Sequence, residues 1–143
     1  MRPYRGLTFW NIAENEPDGD DHMWVVLTDP CDGNPSQVLA VRLNSIKPWT
    51  RRVIVRLEPL RDHPNISKPT FANFKLCRRK TASYIQAKLE NGESIQKPNM
   101  RADVLARIIR GALESGDLAM EDATYLVERE AIHARTRSSG GAA

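Results

Sequence analysis

Short apolar runs separated by Pro, Gly, Asn and Asp fill the middle of the chain and predict four β-strands. Residues 23–27 are apolar without a break, which is typical of a strand that is buried on both faces. Residues 37–43 and 53–57 alternate with a period of two, and residues 70–76 combine an apolar start with alternation. Because the connections are too short for crossover helices, the pattern predicts a mostly antiparallel sheet.

The alternation also predicts which side chains are buried. Within residues 37–43, Leu39, Val41 and Leu43 share one face, and we assign this face to the core. Six side chains of the predicted sheet are expected to be largely buried: Trp24, Val26, Leu39, Val41, Val55 and Phe74.

Helical periodicity follows the strands from residue 81 onward. Thr81 is a candidate N-cap for a first helix that ends near Gly92. A third helix is expected from about Met120, followed by a frayed tail over residues 136–143. Between them, a second helix is predicted by four apolar residues that share one face: Leu105, Ile108, Ile109 and Ala112.

These elements predict one α+β domain, a small, mostly antiparallel β-barrel with C-terminal helices. Residues 1–21 form a polar lead-in, in which residues 8–13 are either a short strand or an interface segment. The barrel and its first helices span residues 22–116, and an additional helix spans residues 117–135. Residues 136–143 are the expected disordered tail.

Several classes of protein are disfavoured by what the sequence lacks. No run approaches the roughly 18 apolar residues of a membrane span, and no apolar signal segment follows Arg2 and Arg5. We therefore expect a cytoplasmic protein with no membrane partner. The two cysteines and three histidines lack the spacing of metal ligands, and nucleotide-binding loops are missing, so we expect no metal and no cofactor.

Positive charge is concentrated in the predicted strands. The net charge is −3 over residues 1–21, +7 over residues 22–80 and −1 over residues 81–143. A basic block of strands is typical of a nucleic-acid surface. The alternative is a solvated face whose charges form salt bridges.

Residues 61–64, Arg-Asp-His-Pro, form the most concentrated polar cluster. An imidazole beside a carboxylate and a guanidinium can transfer protons or bind phosphate. Alternatively, Asp62 caps the backbone of a loop and His63 packs on Pro64.

Cleavage of RNA to a cyclic phosphate needs few kinds of group. A base takes the 2′-hydroxyl proton, cationic donors hold the phosphate, and an acid protonates the leaving oxygen. His22, His63, Arg56 and Ser45 are residues of these types. Trp49 lies in a basic loop and is the best candidate to stack on an unpaired base, whereas Phe71 and Phe74 are more typical of a core.

The order of elements over residues 22–113 resembles the PemK/MazF-like toxin superfamily. HMWVVLTDP (22–30) is similar to the first long strand of that family, and VLAVRLNS (38–45) is similar to the strand that delivers a hydroxyl near the active site. PTFANFKL (69–76), followed by a glycine and a helix, resembles the last strand and terminal helix. The usual Arg-Gly opening of the first strand is here His22-Met23.

The resemblance implies an SH3-like barrel in a dimeric, ribosome-independent endoribonuclease that is paired with an antitoxin. The position of the family's catalytic Thr falls nearest Asn44, with Ser45 beside it, and its catalytic Arg has no unambiguous match. The rival hypothesis is a catalytically inactive barrel that binds protein or nucleic acid.

We therefore expect a homodimer that binds single-stranded RNA and has an antitoxin as a protein partner. The candidate catalytic residues are His22, Ser45 and His63. The candidate substrate-binding residues are Asn44, Trp49, Arg51, Arg52, Arg56, Asp62 and Lys75.

Overall fold

A six-stranded antiparallel sheet, curled into a half-barrel, forms the centre of the molecule. The computed structural model describes residues 3–11 and 22–142, the last five of them by their backbone alone. The strands are β1 (Thr8–Asn11), β2 (His22–Val26), β3 (Gln37–Ser45), β4 (Arg56–Leu57), β5 (Thr70–Thr81) and β6 (Ser94–Lys97), and their order in the sheet is β4-β5-β3-β2-β1-β6. The predicted α+β fold with an antiparallel barrel-like sheet is confirmed.

Three helices complete the fold: α1 (Ala82–Glu90), α2 (Ala102–Ser115) and α3 (Met120–Ala142). The predicted cap of α1 is confirmed, because the Thr81 hydroxyl accepts a hydrogen bond from the Tyr84 amide at 3.2 Å. The helix α2 ends at Gly116, which adopts the left-handed conformation with φ 72°.

The larger core lies between one face of the sheet and α2. Leu39, Val41 and Leu43 contribute from β3, as predicted, and the apolar face of α2 packs against them and against Phe74. Gly111 makes this close approach possible, because a Cβ atom there would lie 2.2 Å from Val55 Cγ2. The six side chains that were expected to be largely buried are all buried.

A second core lies on the opposite face of the sheet, where α1 covers it. Val38 and Ala40 of β3 point to this side and contact Trp24 and Ile85. The strand β3 is therefore buried on both faces, whereas its alternation had indicated a core on one side only. Arg42 follows on the same face as Ala40 and is also buried.

The strand predicted over residues 53–57 is shorter than expected. Only Arg56–Leu57 forms β4, and Val53 is exposed although Val55 is buried. The preceding chain turns towards the junction of α2 and α3, because the Arg52 guanidinium donates to the Ser115 carbonyl and pairs with Asp117. This attachment draws residues 51–53 away from β5.

At the N-terminal end the strand alternative for residues 8–13 is the one that forms, and at the C-terminal end the helix extends further than expected. Thr8–Asn11, within the polar lead-in, is a strand that pairs with both β2 and β6. The remaining acid-rich residues, 12–21, lie outside the described residues. The helix α3 continues to Ala142 through most of the expected tail. The sequence after residue 98 contains no proline, so every residue of this helix has a backbone N–H that can donate a helical hydrogen bond.

Candidate nucleic-acid interface

A cleft of about 800 Å³ opens where the ends of β2, β3 and β5 meet. The register brings these ends together, because Met23 pairs with Leu43 and Ser45 pairs with Thr70. The loops formed by residues 46–54 and 65–68 supply the remaining walls. Strand ends thus fix the floor of the cleft, and loops provide its cationic rim.

The cleft is strongly cationic. Among the residues that the structure describes, five basic side chains line it against one aspartate, Asp117. The Arg52 Nε atom lies 3.2 Å from Asp117 Oδ2, so this pair is largely neutralised. The excess of positive charge comes from the other basic residues of the lining, namely Lys47, Arg51, Lys68 and Lys75. Such a concave basic surface attracts phosphates through Coulomb forces and released counterions.

An exposed indole stands at the edge of this cationic cleft. Trp49 is 75% exposed, although burial of an indole is strongly favourable in water. Phe71 also lines the cleft and is half-buried, whereas Phe74 is 3% exposed and belongs to the core. Trp49 is therefore the side chain that is best placed to stack on an unpaired base.

His22 begins β2 and lines the cleft beside the buried Arg42. An Arg42 Nη2 atom lies 2.7 Å from His22 Nε2. A guanidinium can only donate, so Nε2 accepts, and the neutral imidazole carries its proton on Nδ1. This contact orients the ring and favours His22 as a donor through Nδ1.

Two amides and a hydroxyl extend the polar surface from His22. The Asn73 side chain donates to Asn44 Oδ1 at 3.2 Å, and both residues line the cleft. Ser45 is partly exposed in the same lining. Of the ten predicted site residues, seven line this cleft: His22, Asn44, Ser45, Trp49, Arg51, Arg52 and Lys75.

The structure buries His63, which is one of the three candidate catalytic residues. The His63 side chain is 2% exposed and does not line the cleft. Its Nδ1 accepts from the Asn65 amide at 3.0 Å, so Nε2 donates to the Pro98 carbonyl at 2.6 Å. Nδ1 therefore closes a turn within the loop, and Nε2 joins the loop to the segment that precedes α2. The structure does not bring His63 together with His22 and Ser45.

Asp62 and Arg56 also lie outside the cleft lining. Burial by itself would raise the pKa of Asp62, but donors from the Glu58 amide, Arg61 and Arg107 lower it to about 2. The carboxylate thus joins the loop to α2 through Arg107, at 3.0 Å. The Arg56 side chain pairs with Glu58 at 2.7 Å.

The cysteines do not add a reactive group to the cleft. Burial raises the pKa of the Cys77 thiol to about 12, and the nearby Asp122 adds to this shift. Cys77 is therefore a neutral core side chain at working pH. Cys31 is partly exposed, and neither cysteine lines the cleft.

Among residues 3–11 and 22–142, no three His, Cys, Asp or Glu side chains come together as a metal site would require. None of the described helices is long and apolar enough to cross a membrane.

Four residues of the site were not identified from the sequence. Lys47, Lys68 and Asn73 line the cleft, and Arg42 contacts His22 beneath it. The two lysines belong to the basic block of residues 22–80, which was a usable signal. Arg42 follows Val38 and Ala40 on the face that the sequence had not assigned to the core, so a buried role for it was not expected.

Comparison with known proteins places the fold. No protein-family model and no curated protein matches the sequence. A chain of the MazE–MazF crystal structure from Deinococcus radiodurans (Form-II) is 15% identical, with a TM-score of 0.52, and the match covers 83% of this chain and 99% of that one. A chain of the Form-III structure is 16% identical, with a TM-score of 0.53 and coverage of 83% and 100%. The fold of this protein therefore resembles that of the MazF/PemK toxins.

Proposed function

We propose that the protein is a toxin-type RNA-binding protein that holds single-stranded RNA in the basic cleft. The observation that carries this proposal is the combination of unneutralised cations with the exposed indole of Trp49 in one concave surface. The resemblance of the fold to MazF toxins supports a role in a toxin–antitoxin or mobile-element system, which we place in the cytoplasm.

Binding would divide between the two kinds of group in the cleft. Lys47, Arg51 and Lys75 would contact phosphates, which contributes affinity that falls with salt and is indifferent to sequence. Trp49 would stack on a base, a contact that is worth about 1–3 kcal/mol in single-strand binding proteins. Because stacking needs an unpaired base, the cleft would prefer single strands to duplexes.

The reaction we propose is endonucleolytic cleavage. The 2′-hydroxyl gives its proton to a base and attacks the adjacent phosphorus, while the bond from phosphorus to the 5′-oxygen breaks and that oxygen takes up a proton. The products are a 2′,3′-cyclic phosphate and a 5′-hydroxyl, with no net change in protons. Arg51 and Lys75 would stabilise the charge that develops on the phosphate, and Ser45 would donate a hydrogen bond to it. Among the described residues, His22 is the only imidazole in the lining and is the candidate for proton transfer.

A second candidate function is an inactive barrel that binds RNA without cleaving it. The burial of His63 away from the cleft and the occupation of His22 Nε2 by Arg42 favour this candidate. Neither histidine then presents an unoccupied basic nitrogen in this conformation, as far as the described contacts go. The two candidates share the binding surface and differ in the proton transfer.

One experiment separates the candidates. The purified protein is incubated with a mixed-sequence single-stranded RNA in the presence of a chelator, and any fragments are analysed for their end groups. Cleavage predicts cyclic phosphate and 5′-hydroxyl ends that are lost in His22→Ala. Binding without fragments would favour the inactive barrel, and no binding at low salt would contradict both candidates.

We also propose that the protein is a homodimer and is neutralised by an antitoxin partner. The similar structures are crystals of MazE–MazF complexes, which supports an antitoxin as the class of partner. Sedimentation at micromolar concentration tests the dimer. A monomer would remove the dimer proposal without affecting the cleft.

A further inference from the structure

Two asparagine side chains are joined to each other in the lining of the cleft. The Asn73 Nδ2 atom of β5 donates to Asn44 Oδ1 of β3 at 3.2 Å, and both side chains are partly exposed. The bond crosses the two strands beside the bulge at which their register shifts, between Val41 and Arg42. The phosphate contacts and the stacking on Trp49 that we propose leave this pair of amides unused.

The amide pair presents one donor and one acceptor to a ligand. A carboxamide has two N–H donors and a carbonyl acceptor, so the bond between the side chains leaves an N–H of Asn44 and the Oδ1 of Asn73 for the cleft. If both amides turn over, their roles exchange, and the pair again presents one donor beside one acceptor. Each of the four bases has a donor next to an acceptor on its Watson–Crick edge, the edge by which unpaired bases are recognised, so the pair can match any of them.

An aromatic ring lies beside the amide pair on the same face of the sheet. Phe71 is directly opposite Asn44 in the register of β3 and β5, and Asn73 is two residues from Phe71 along β5. Opposite residues share a face, as do residues i and i+2 of one strand. Phe71 lines the cleft and is half-buried, so part of its ring is open to a ligand. Because the Cβ atoms of opposite residues are about 4.5–5.5 Å apart, one base can reach both the ring and the amides.

The register also places the amide pair next to His22. Met23 pairs with Leu43 in the register of β2 and β3. His22 and Asn44 flank this pair on the same side, so they are neighbours across the two strands, and both line the cleft. A base that is held by the amides would therefore belong to a nucleotide beside the candidate for proton transfer.

We infer that Asn44, Asn73 and Phe71 form a base-edge subsite, which stacks one unpaired base on the ring and hydrogen-bonds its Watson–Crick edge to the amide pair. The inference rests on the proposed function, since it names what the cleft recognises in the RNA strand that it holds. Because the two amides can turn over together, the subsite accepts all four bases and requires only that the edge of the base is unpaired.

Replacing one amide with a carboxylate tests the subsite by changing its preference. In Asn44→Asp, the Asn73 amide still has an oxygen to donate to, and both oxygens that remain for the ligand are acceptors. Asn73→Asp gives the same arrangement once the Asn44 amide has turned over. Guanine is the base with two adjacent N–H donors on its Watson–Crick edge, at N1 and N2. Both variants should therefore prefer guanine.

Binding is measured by competition between uridine heptamers that carry A, C, G or U at the central position. The matched control is Asn65→Asp, because Asn65 is exposed in the cleft lining and its substitution introduces the same charge outside the amide pair. A second control, Arg110→Gln, removes a charge from the exposed side of α2, outside the cleft lining. Melting temperatures show that each variant is folded, and the two variants of the amide pair are measured separately.

The parent protein should bind the four heptamers within about fivefold of one another, because neither stacking nor the amide pair selects a base. Asn44→Asp and Asn73→Asp should bind the uridine heptamer more weakly than the parent does, as should Asn65→Asp, because each adds a negative charge near the phosphates. In the two variants of the amide pair, the ratio of guanine to uridine affinity should rise at least about fivefold over the parent ratio, the lower end of discrimination by a bidentate contact. Arg110→Gln should keep the affinities of the parent.

If the ratio of guanine to uridine affinity rises no more in these two variants than in Asn65→Asp, the amides only join β3 to β5 at the bulge. The base-edge subsite is then wrong, while binding of RNA in the cleft stands. A parent protein that binds none of the heptamers at low salt would overturn the cleft and the subsite together.

Discussion

His63 is predicted to matter for stability, and its replacement tests the structure in a quantitative way. The side chain is 2% exposed and uses both nitrogens, donating to the Pro98 carbonyl and accepting from the Asn65 amide. In His63→Ala, both backbone groups lose their partner and a cavity opens in place of the ring. An unsatisfied buried polar group costs about 1–3 kcal/mol, and the cavity adds to this cost.

The expected loss in the free energy of unfolding is therefore about 2–4 kcal/mol, allowing for partial entry of water. Urea denaturation monitored by tryptophan fluorescence measures it directly. His133→Ala is the matched control, since His133 is 32% exposed and its ion pair with Asp29 is long, at 3.7 Å. That control should change stability by less than about 0.5 kcal/mol.

The result also bears on the location of the site. At a temperature where His63→Ala remains folded, RNA binding should match that of the parent protein, because His63 does not line the cleft. A stable His63→Ala variant that loses RNA binding or cleavage would contradict this prediction and restore His63 to the site.

Three further predictions follow from buried groups. The pKa of Asp62 is held at about 2, against an ordinary value of 3.8, so its contribution to stability is present above pH 3.8 and is lost as the pH falls towards 2. The free energy of unfolding, measured as a function of pH, should show a loss of about 2 kcal/mol that the Asp62→Asn variant lacks. Identical pH dependence in the two proteins would contradict the prediction. In the native protein, a thiol reagent should label Cys31 and leave Cys77 unlabelled, because burial raises the pKa of Cys77 to about 12. Mass spectrometry of peptides identifies the labelled cysteine, and rapid labelling of both would contradict this prediction. The Gly111→Ala substitution should lower the free energy of unfolding by about 1–3 kcal/mol through overpacking, since the new Cβ atom would lie 2.2 Å from Val55 Cγ2. An unchanged midpoint of urea denaturation would count against this packing.

The fold was largely predictable because local patterns and tertiary packing agree along most of the chain. The alternation of residues 37–43 matches the pleat of β3, and the apolar face of α2 matches its packing against the sheet. The strand expected over residues 53–57 is only partly formed, because Arg52 is held by Ser115 and Asp117, which lie more than 60 residues away. A pattern read over a few neighbouring residues contains no information about such a contact.

The residues of the cleft were predictable where positive charge or polar side chains occur at strand ends. They were not predictable where the burial of a side chain determines whether it reaches the cleft. Ser45 pairs with Thr70 at the cleft, and Lys75 lies on β5 in the same lining, so residue type and strand position were sufficient to select them. His63 resembles a reactive loop residue in the sequence, yet the Pro98 carbonyl holds it inside the protein. Arg42 was not identified because only the pairing of β2 with β3 brings it to His22.

The salt dependence of binding tests directly whether single-stranded RNA lies in the basic cleft, as we propose. The affinity of a fluorescently labelled single strand is measured from low to high salt for the parent protein, the double variant Lys47→Gln with Lys75→Gln, and the control Arg110→Gln. We expect a steep slope for the parent and the control, and a slope smaller by about 1.4 for the cleft variant. Equal slopes for all three proteins, or affinity that does not change with salt, would contradict binding in the cleft.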